Sequence, residues 1–289
     1  MILITGASGK TGQAITRALR KPNAQVRAFV RRTEQVVQLQ SVGTQEVVVG
    51  NLRHAADLAR AAKGVNAIYH ICPNMQPDEV TIAQNMIQAA QTNGVSRFVY
   101  HSVLHPQTAE MPHHWRKLRV EELLFKSGLD FTILQPAAYM QNVLANWPAI
   151  TEQGIYRVPY AVTTRLGMVD LDDVAEVAAK MLTEPGHIGA IYELAGSEVV
   201  NQTEIAAIVA ECLGRPVQAE ALAQSLWLQG TRQAGLGDYA IDTLLKMFGY
   251  YERYGFWGNP RILTELLGRA PTSLAEFVMR TINQAPTVG

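Results

Sequence analysis

Met1-Ile2-Leu3-Ile4-Thr5 is a short apolar, β-branched run that feeds, without a spare residue, into Gly6-Ala7-Ser8-Gly9-Lys10-Thr11-Gly12 and then the helical pattern Ala14, Ile15, Ala18, Leu19. A buried strand, a glycine-rich turn and a helix in immediate succession constrain the fold more than any other stretch of the chain. Each glycine answers a separate need. Gly6 allows a sharp turn off the strand end, Gly9 a close approach of backbone to a pyrophosphate, and Gly12 close packing of the new helix on the sheet. The N–H groups of the helix's first turn, at the positive end of its dipole, then face the phosphates, which makes residues 6–12 candidate ligands of a dinucleotide. A nucleotide-hydrolase P-loop is excluded, because Lys10-Thr11 precedes the last glycine and the spacing is too short.

The alternation continues. The first helix stops near Lys21-Pro22, and residues 25–30, 45–49, 67–71, 97–103 and 130–134 read as strands. Residues 55–62 and 78–93 read as the helices between them, closed by Gly64 and Asn93-Gly94. This predicts an α/β fold: a Rossmann-type, doubly wound parallel sheet with right-handed crossovers. The tip of the second strand, about twenty residues past the glycine turn, is where such a fold meets the adenosine ribose. An NAD site places a carboxylate there, whereas this chain offers Arg31-Arg32 and no carboxylate before Glu34. A guanidinium suits a 2′-phosphate, and a charge-assisted bond of about 1.5–3 kcal/mol favours NADP(H) over NAD(H) by roughly ten- to a hundredfold. Arg31, first past the strand, is the better placed of the two. Asn51 and Leu52 after the third strand, and Cys72 and Pro73 after the fourth, fall at strand carboxyl ends and are further candidates for cofactor contact.

Composition narrows the function classes. With 289 residues, 48% hydrophobic and 17% charged, the chain can bury a core without disulfides or metal. A formal net charge of zero leaves no electrostatic footprint for nucleic acid or an anionic membrane. The two cysteines, Cys72 and Cys212, read as buried small hydrophobes in a reducing compartment. No run reaches the length of a membrane span and the N-terminus reads as a strand rather than a signal peptide, so the expectation is a soluble, cytoplasmic protein.

The string at residues 5–12, Arg31, Gly50-Asn51-Leu52 and residues 127–136, Ser-Gly-Leu-Asp-Phe-Thr-Ile-Leu-Gln-Pro, together resemble the NmrA-like branch of the atypical short-chain dehydrogenase/reductases. The resemblance runs over most of the chain, and Gly268-Arg269-Ala270-Pro271 is similar to the family's C-terminal signature. The family includes quinone oxidoreductases, triphenylmethane and isoflavone reductases, and NADP-sensing regulators that have lost catalysis. Short-chain dehydrogenases generally use a Ser on the fifth strand and a Tyr-x-x-x-Lys on the next helix. The resemblance puts Ser102 at the serine position and Lys117 at the lysine, followed four residues later by Glu121. His113 stands where the tyrosine belongs. It is a candidate proton donor, since i and i+4 share a helix face and imidazole can hold a proton near neutral pH. Gln135 replaces an arginine that many members carry, and residues 136–142 resemble the loop over the nicotinamide, with Tyr139, Met140 and Asn142 as candidate contacts.

Five of the seven histidines, His70, His101, His105, His113 and His114, fall on segments that can converge. Without a His-Glu-x-x-His helix or a cysteine pair, a crevice of neutral imidazoles is the reading preferred to zinc, and no metal is expected. Past residue 137 the pattern is irregular, then mainly helical. Asp170, Asp172 and Asp173 read as caps of a helix over 174–182, and Asn201 or Thr203 as the cap of another. Most of Trp227, Phe248, Tyr250, Tyr251, Tyr254, Phe256 and Trp257 read as core, with a few at the cleft. The organisation expected is a cofactor domain over 1–136, its sheet and a helix completed by about 165–195, and a smaller, mainly helical substrate portion over 137–289 with a frayed tail after Gln284. Two functions compete: an NADPH-dependent reductase of a small quinone or similar conjugated acceptor, and a non-catalytic NADP(H)-sensing regulator acting through a protein partner. A small-molecule acceptor is the expected partner, with a homodimer or a protein partner left open.

Overall fold

The structure, a computed structural model, describes residues 1–284; the tail expected to fray after Gln284 lies outside the described residues. The chain begins β1 (Ile2–Ile4), α1 (Lys10–Ala18), β2 (Val26–Val30), α2 (Gln35–Ser41), β3 (Glu46–Val49), α3 (Ala55–Ala62) and β4 (Ala67–His70). It continues α4 (Glu79–Thr92), β5 (Arg97–His101), α5 (Pro112–Phe125) and β6 (Phe131–Pro136). After β7 (Ala138–Tyr139) and a 3-10 turn (Met140–Asn146) come α6 (Trp147–Gln153), β8 (Ile155–Val158), β9 (Leu166–Val169), α7 (Leu171–Thr183), β10 (Ala190–Leu194) and β11 (Val199–Val200). The last elements are α8 (Gln202–Leu213), β12 (Gln218–Ala221), α9 (Gln224–Gln233), α10 (Asp238–Tyr254), α11 (Arg261–Leu267) and α12 (Leu274–Gln284). They form two compact units, Met1–Pro136 with Val174–Glu193, and Ala137–Asp173 with the chain from Leu194 onward.

The first unit is built on a seven-stranded sheet in the order β10-β6-β5-β4-β1-β2-β3. The pairings β1–β2, β1–β4, β2–β3, β4–β5 and β5–β6 are all parallel. β1 is buried along its whole length, as a strand covered on both faces must be, and its neighbours on either side are β2 and β4. The strand order therefore reverses at β1, and a sheet of this kind opens a crevice at the carboxyl ends there. Leu3, Ile68, Phe98 and Ile133 from the strands pack with Leu58, Met86, Val120 and Leu124 from α3, α4 and α5. Each such side chain contributes about 1.5–3 kcal/mol on burial.

Three local differences from the sequence pattern have physical causes. β4 and β5 stop at His70 and His101, short of the expected ends at Ile71 and Val103, because the chain leaves the ladder at the crevice edge; there Thr5 Oγ1 accepts from the Ile71 amide at 2.8 Å and donates to its carbonyl at 3.0 Å. α2 was not anticipated at all: it is seven residues long and buries only Leu39, which leaves no apolar periodicity to detect. α7 begins at Leu171, earlier than expected, with Asp170 Oδ1 accepting from the Asp172 amide as a cap.

The second unit carries a three-stranded sheet, β11-β9-β7, a two-stranded pair, β12-β8, and most of the late helices. α8 opens with a reciprocal capping box: Asn201 Oδ1 accepts from the Glu204 amide at 2.9 Å, and Glu204 accepts from the Asn201 amide at 2.7 Å. The aspartates do more than cap. Asp170 accepts from Arg280 at 2.6 Å, and Asp173 from Arg269 at 2.8 Å and the Thr272 amide at 2.7 Å. The late aromatics are corrected as well. Only Tyr251 and Phe256 of the seven are buried, stacked at 4.9 Å behind the reversal at Gly255, whereas Tyr254 and Trp257 are exposed and the others half-buried. Among the described residues no helix is long and apolar enough to cross a membrane.

Candidate active site

At the crevice edge Gly6 turns the chain with φ +61°, a conformation other residues rarely adopt. A Cβ on Gly12 would stand 2.5 Å from both the Ala7 Cα and the Gly6 carbonyl oxygen, so α1 can pack this closely on the turn only with glycine. The first amides of α1, like those of any helix, have no intrahelical acceptors. Beside it lies a cleft of about 290 Å³ lined by Gly6, Ser8, Arg31, Asn51, Leu52 and Pro73, all expected from the sequence, and by Phe29, Gln35, Arg53 and Gln76, which were not. Ala7 is buried behind the turn, and Gly9, Lys10 and Thr11 stand outside the cleft lining. Cys72 is buried next to Pro73, its thiol pushed up by burial, which makes it an inert small hydrophobe.

Short-range polar bonds fix the cleft walls. Gln35 donates to Ser8 Oγ at 2.8 Å and accepts from the Arg32 amide at 3.0 Å, tying the glycine turn to the loop that carries Arg31. Asn51 Oδ1 accepts from the Arg53 amide at 3.1 Å, and the Asn51 amide donates to Asp57 at 2.9 Å, holding that carboxyl below its usual range. Arg53 pairs with Asp78 and donates to Gln76 at 2.9 Å. Arg31 is exposed and, among the described residues, makes no hydrogen bond or ion pair, which leaves its guanidinium available at the mouth of the cleft.

A second polar cluster occupies the carboxyl ends of β4 and β5 and the inner face of α5. Lys117 Nζ donates to Glu79 at 2.7 Å and to the His101 carbonyl at 3.3 Å. Ser102 donates to Glu121, which also accepts from Gln135 Nε2 at 2.9 and 3.1 Å. Burial raises the Glu121 carboxyl against the lowering effect of those bonds. His101 Nδ1 lies 2.7 Å from the Tyr69 hydroxyl and His70 Nδ1 lies 3.0 Å from Thr5 Oγ1. The structure thus brings Ser102, Lys117 and His113 to one region, where His113 is 6% exposed. Burial pushes its imidazole down to about 2, with His114 and Lys117 adding to the effect, and among the described residues its Nδ1 has no hydrogen-bond partner. Such a site favours the neutral ring, a poorer proton donor than imidazolium. Tyr100, beside Lys117, does not replace the missing tyrosine: burial raises its phenol well above the usual range and its hydroxyl is spent on Glu79.

The sequence profile of the NmrA-like family matches residues 1–278. The chain belongs to that family. Quinone oxidoreductase 2 of Escherichia coli (strain K12) is 29% identical over 98% of this chain and 99% of its own. NAD(P)H azoreductase of Xenophilus azovorans is 28% identical over 96% of each chain. The crystal structure of an NADPH-dependent quinone oxidoreductase from Escherichia coli, complexed with NADPH, superposes with a TM-score of 0.84 at 29% identity, covering 98% of this chain and 100% of that one.

Gln135, expected from the resemblance to stand at an arginine position, donates its amide to both oxygens of Glu121. Tyr139, half-buried on β7, and Asn142, exposed on the 3-10 turn, belong to the second unit, where Met140 is buried. Among the described residues no three His, Cys, Asp or Glu side chains converge to hold a metal ion. Glu79 was missed because an acidic residue at the start of a helix looks like ordinary dipole complementation.

Proposed function

We propose that this chain is an NADPH-dependent reductase acting on a small quinone or similar flat, conjugated acceptor. The observation that carries the reading is the cleft at the strand-order reversal, where a turn that favours glycine opens beside the Arg31 guanidinium, unpaired among the described residues. A dinucleotide fits these residues: the α1 amides suit a pyrophosphate, Arg31 a 2′-phosphate, Asn51, Leu52 and Phe29 the adenosine, and Lys117 the nicotinamide ribose. Support comes from the Escherichia coli relative, named for quinone reduction with NADPH, and from the Xenophilus relative, named for azo reduction with NAD(P)H.

When bound, NADPH supplies the hydride. The residues of the first unit bind and orient it. No side chain is assigned the proton. A quinone is a strong electron acceptor whose reduced oxygens water can protonate, so turnover requires neither a tyrosine at position 113 nor a protonated His113. The regulator reading drew on that missing tyrosine alone.

Steady-state oxidation of NADPH and NADH against a panel of quinones and azo dyes tests the proposal. Turnover of at least one quinone with NADPH preferred is the expected result. Tight NADPH binding with no turnover on any acceptor overturns the reductase reading and leaves the sensor.

A further inference from the structure

Lys117 is not a free surface lysine: it is 9% exposed, and the carboxylate it pairs with, Glu79, is 2% exposed. Its Nζ donates to Glu79 Oε1 at 2.7 Å and to the His101 carbonyl at 3.3 Å, and lies 5.6 Å from the centre of the Tyr100 ring. The Tyr100 hydroxyl donates to the same Glu79 oxygen at 3.1 Å. Four groups from α4, α5 and β5 thus meet at one point beneath the crevice edge. A carboxylate this far from water is tolerated only when opposite charge and hydrogen bonds compensate it, and removing one partner leaves the other uncompensated. An ammonium has three donors at the end of a flexible four-carbon stem. Two of the three are spent here among the described residues, which fixes the direction of the third.

We propose that Glu79 is a positioning residue for the cofactor: by anchoring two of Lys117's N–H bonds together with the His101 carbonyl, it presents the remaining one to a ribose hydroxyl. This deepens the reading above and rests on Lys117 as the nicotinamide-ribose contact. Glu79 itself touches no reacting atom. Its removal acts on cofactor affinity through Lys117, and the chemical step is spared.

The experiment is a double-mutant cycle on the full chain, with NADPH affinity by calorimetry and KM and kcat on a quinone. E79Q and K117M are each expected to weaken NADPH about tenfold, the loss of one charge-assisted bond, with kcat for E79Q within about twofold of wild type. The double variant E79Q/K117M is expected to bind like K117M alone, and E79D, which keeps the charge, to recover part of the loss. If E79Q weakens NADPH by the same factor whether or not Lys117 is present, or binds like wild type while K117M is weak, Glu79 does not act through Lys117 and the inference falls while the ribose assignment stands. If K117M binds NADPH like wild type, the ribose assignment falls first and takes this one with it. Should E79Q fold poorly, E79D with and without K117M gives the same comparison, expected about threefold weaker only where Lys117 is present.

Discussion

The proposed selectivity at the mouth of the cleft rests on a single side chain, Arg31. R31A removes a guanidinium with no hydrogen-bond or ion-pair partner among the described residues, so on the proposed reading its loss falls on the ligand. The variant is expected to lose ten- to a hundredfold in kcat/KM for NADPH, roughly 1.5–3 kcal/mol, with kcat/KM for NADH nearly unchanged. An equal loss with both cofactors would remove the 2′-phosphate from the argument. A second substitution tests the turn. G12A places a methyl 2.5 Å from two backbone atoms that no side-chain rotation can move, and it is expected to abolish NADPH binding or folding, read by calorimetry and circular dichroism. The placement of Arg31 and of the glycine turn beside one cleft was legible because residue type and distance from a strand end together fix it. Glu79 was not, because its role exists only through Lys117, 38 residues away, and nothing in the spacing announces the pair. The burial of His113 was hidden for a related reason: the helix face that brings it to Lys117 also buries it, and burial lowers its imidazole.

At the scale of elements, the strands and long helices of the first unit were legible because their apolar periods are strong, and α2 was not because a short helix with one buried residue has no period. The second unit was harder to read. Its two small sheets have strands of two to four residues, too short to alternate visibly. Its C-terminal signature nevertheless has a physical account. Arg269 and the Thr272 amide and hydroxyl all converge on Asp173, which is buried, so the segment between α11 and α12 is fastened to the start of α7. D173A is expected to cost about 1.5–3 kcal/mol, the range for hydrogen bonds to a charged group, and to lower the melting temperature measurably. The ion pair of Arg261 with Glu265, 81% and 61% exposed, serves as control. R261A is expected to change stability by less than about 0.5 kcal/mol, since solvent already screens that pair. Comparable effects of the two substitutions in a calorimetric melt would mean that Asp173 is as dispensable as a surface charge.

The molecule as a whole inherits a pH dependence from the histidines buried in its first unit. Burial pushes His70 and His101 down to about 3, His113 to about 2 and His114 to about 4. In the unfolded chain an imidazole titrates near 6.5. Between that value and about 4 the unfolded state therefore binds protons that the folded state refuses, so stability is complete above pH 6.5 and falls as the pH drops. Each imidazole contributes a slope of roughly 1.4 kcal/mol per pH unit once the unfolded chain is protonated. With four acting together the loss approaches roughly 5 kcal/mol per unit, enough to consume a typical folding free energy of about 5–15 kcal/mol before the carboxylates titrate. The urea midpoint is thus expected to be level from pH 8 to 7 and to drop steeply between pH 6 and 5. H113Q removes one titrating ring while keeping a polar side chain in a site where Nδ1 has no partner, so it is expected to reduce that slope by about a quarter without moving the plateau downward by more than about 1 kcal/mol. A midpoint that stays level down to pH 5 in the wild-type protein would mean that these rings, His113 among them, take up protons in the folded state.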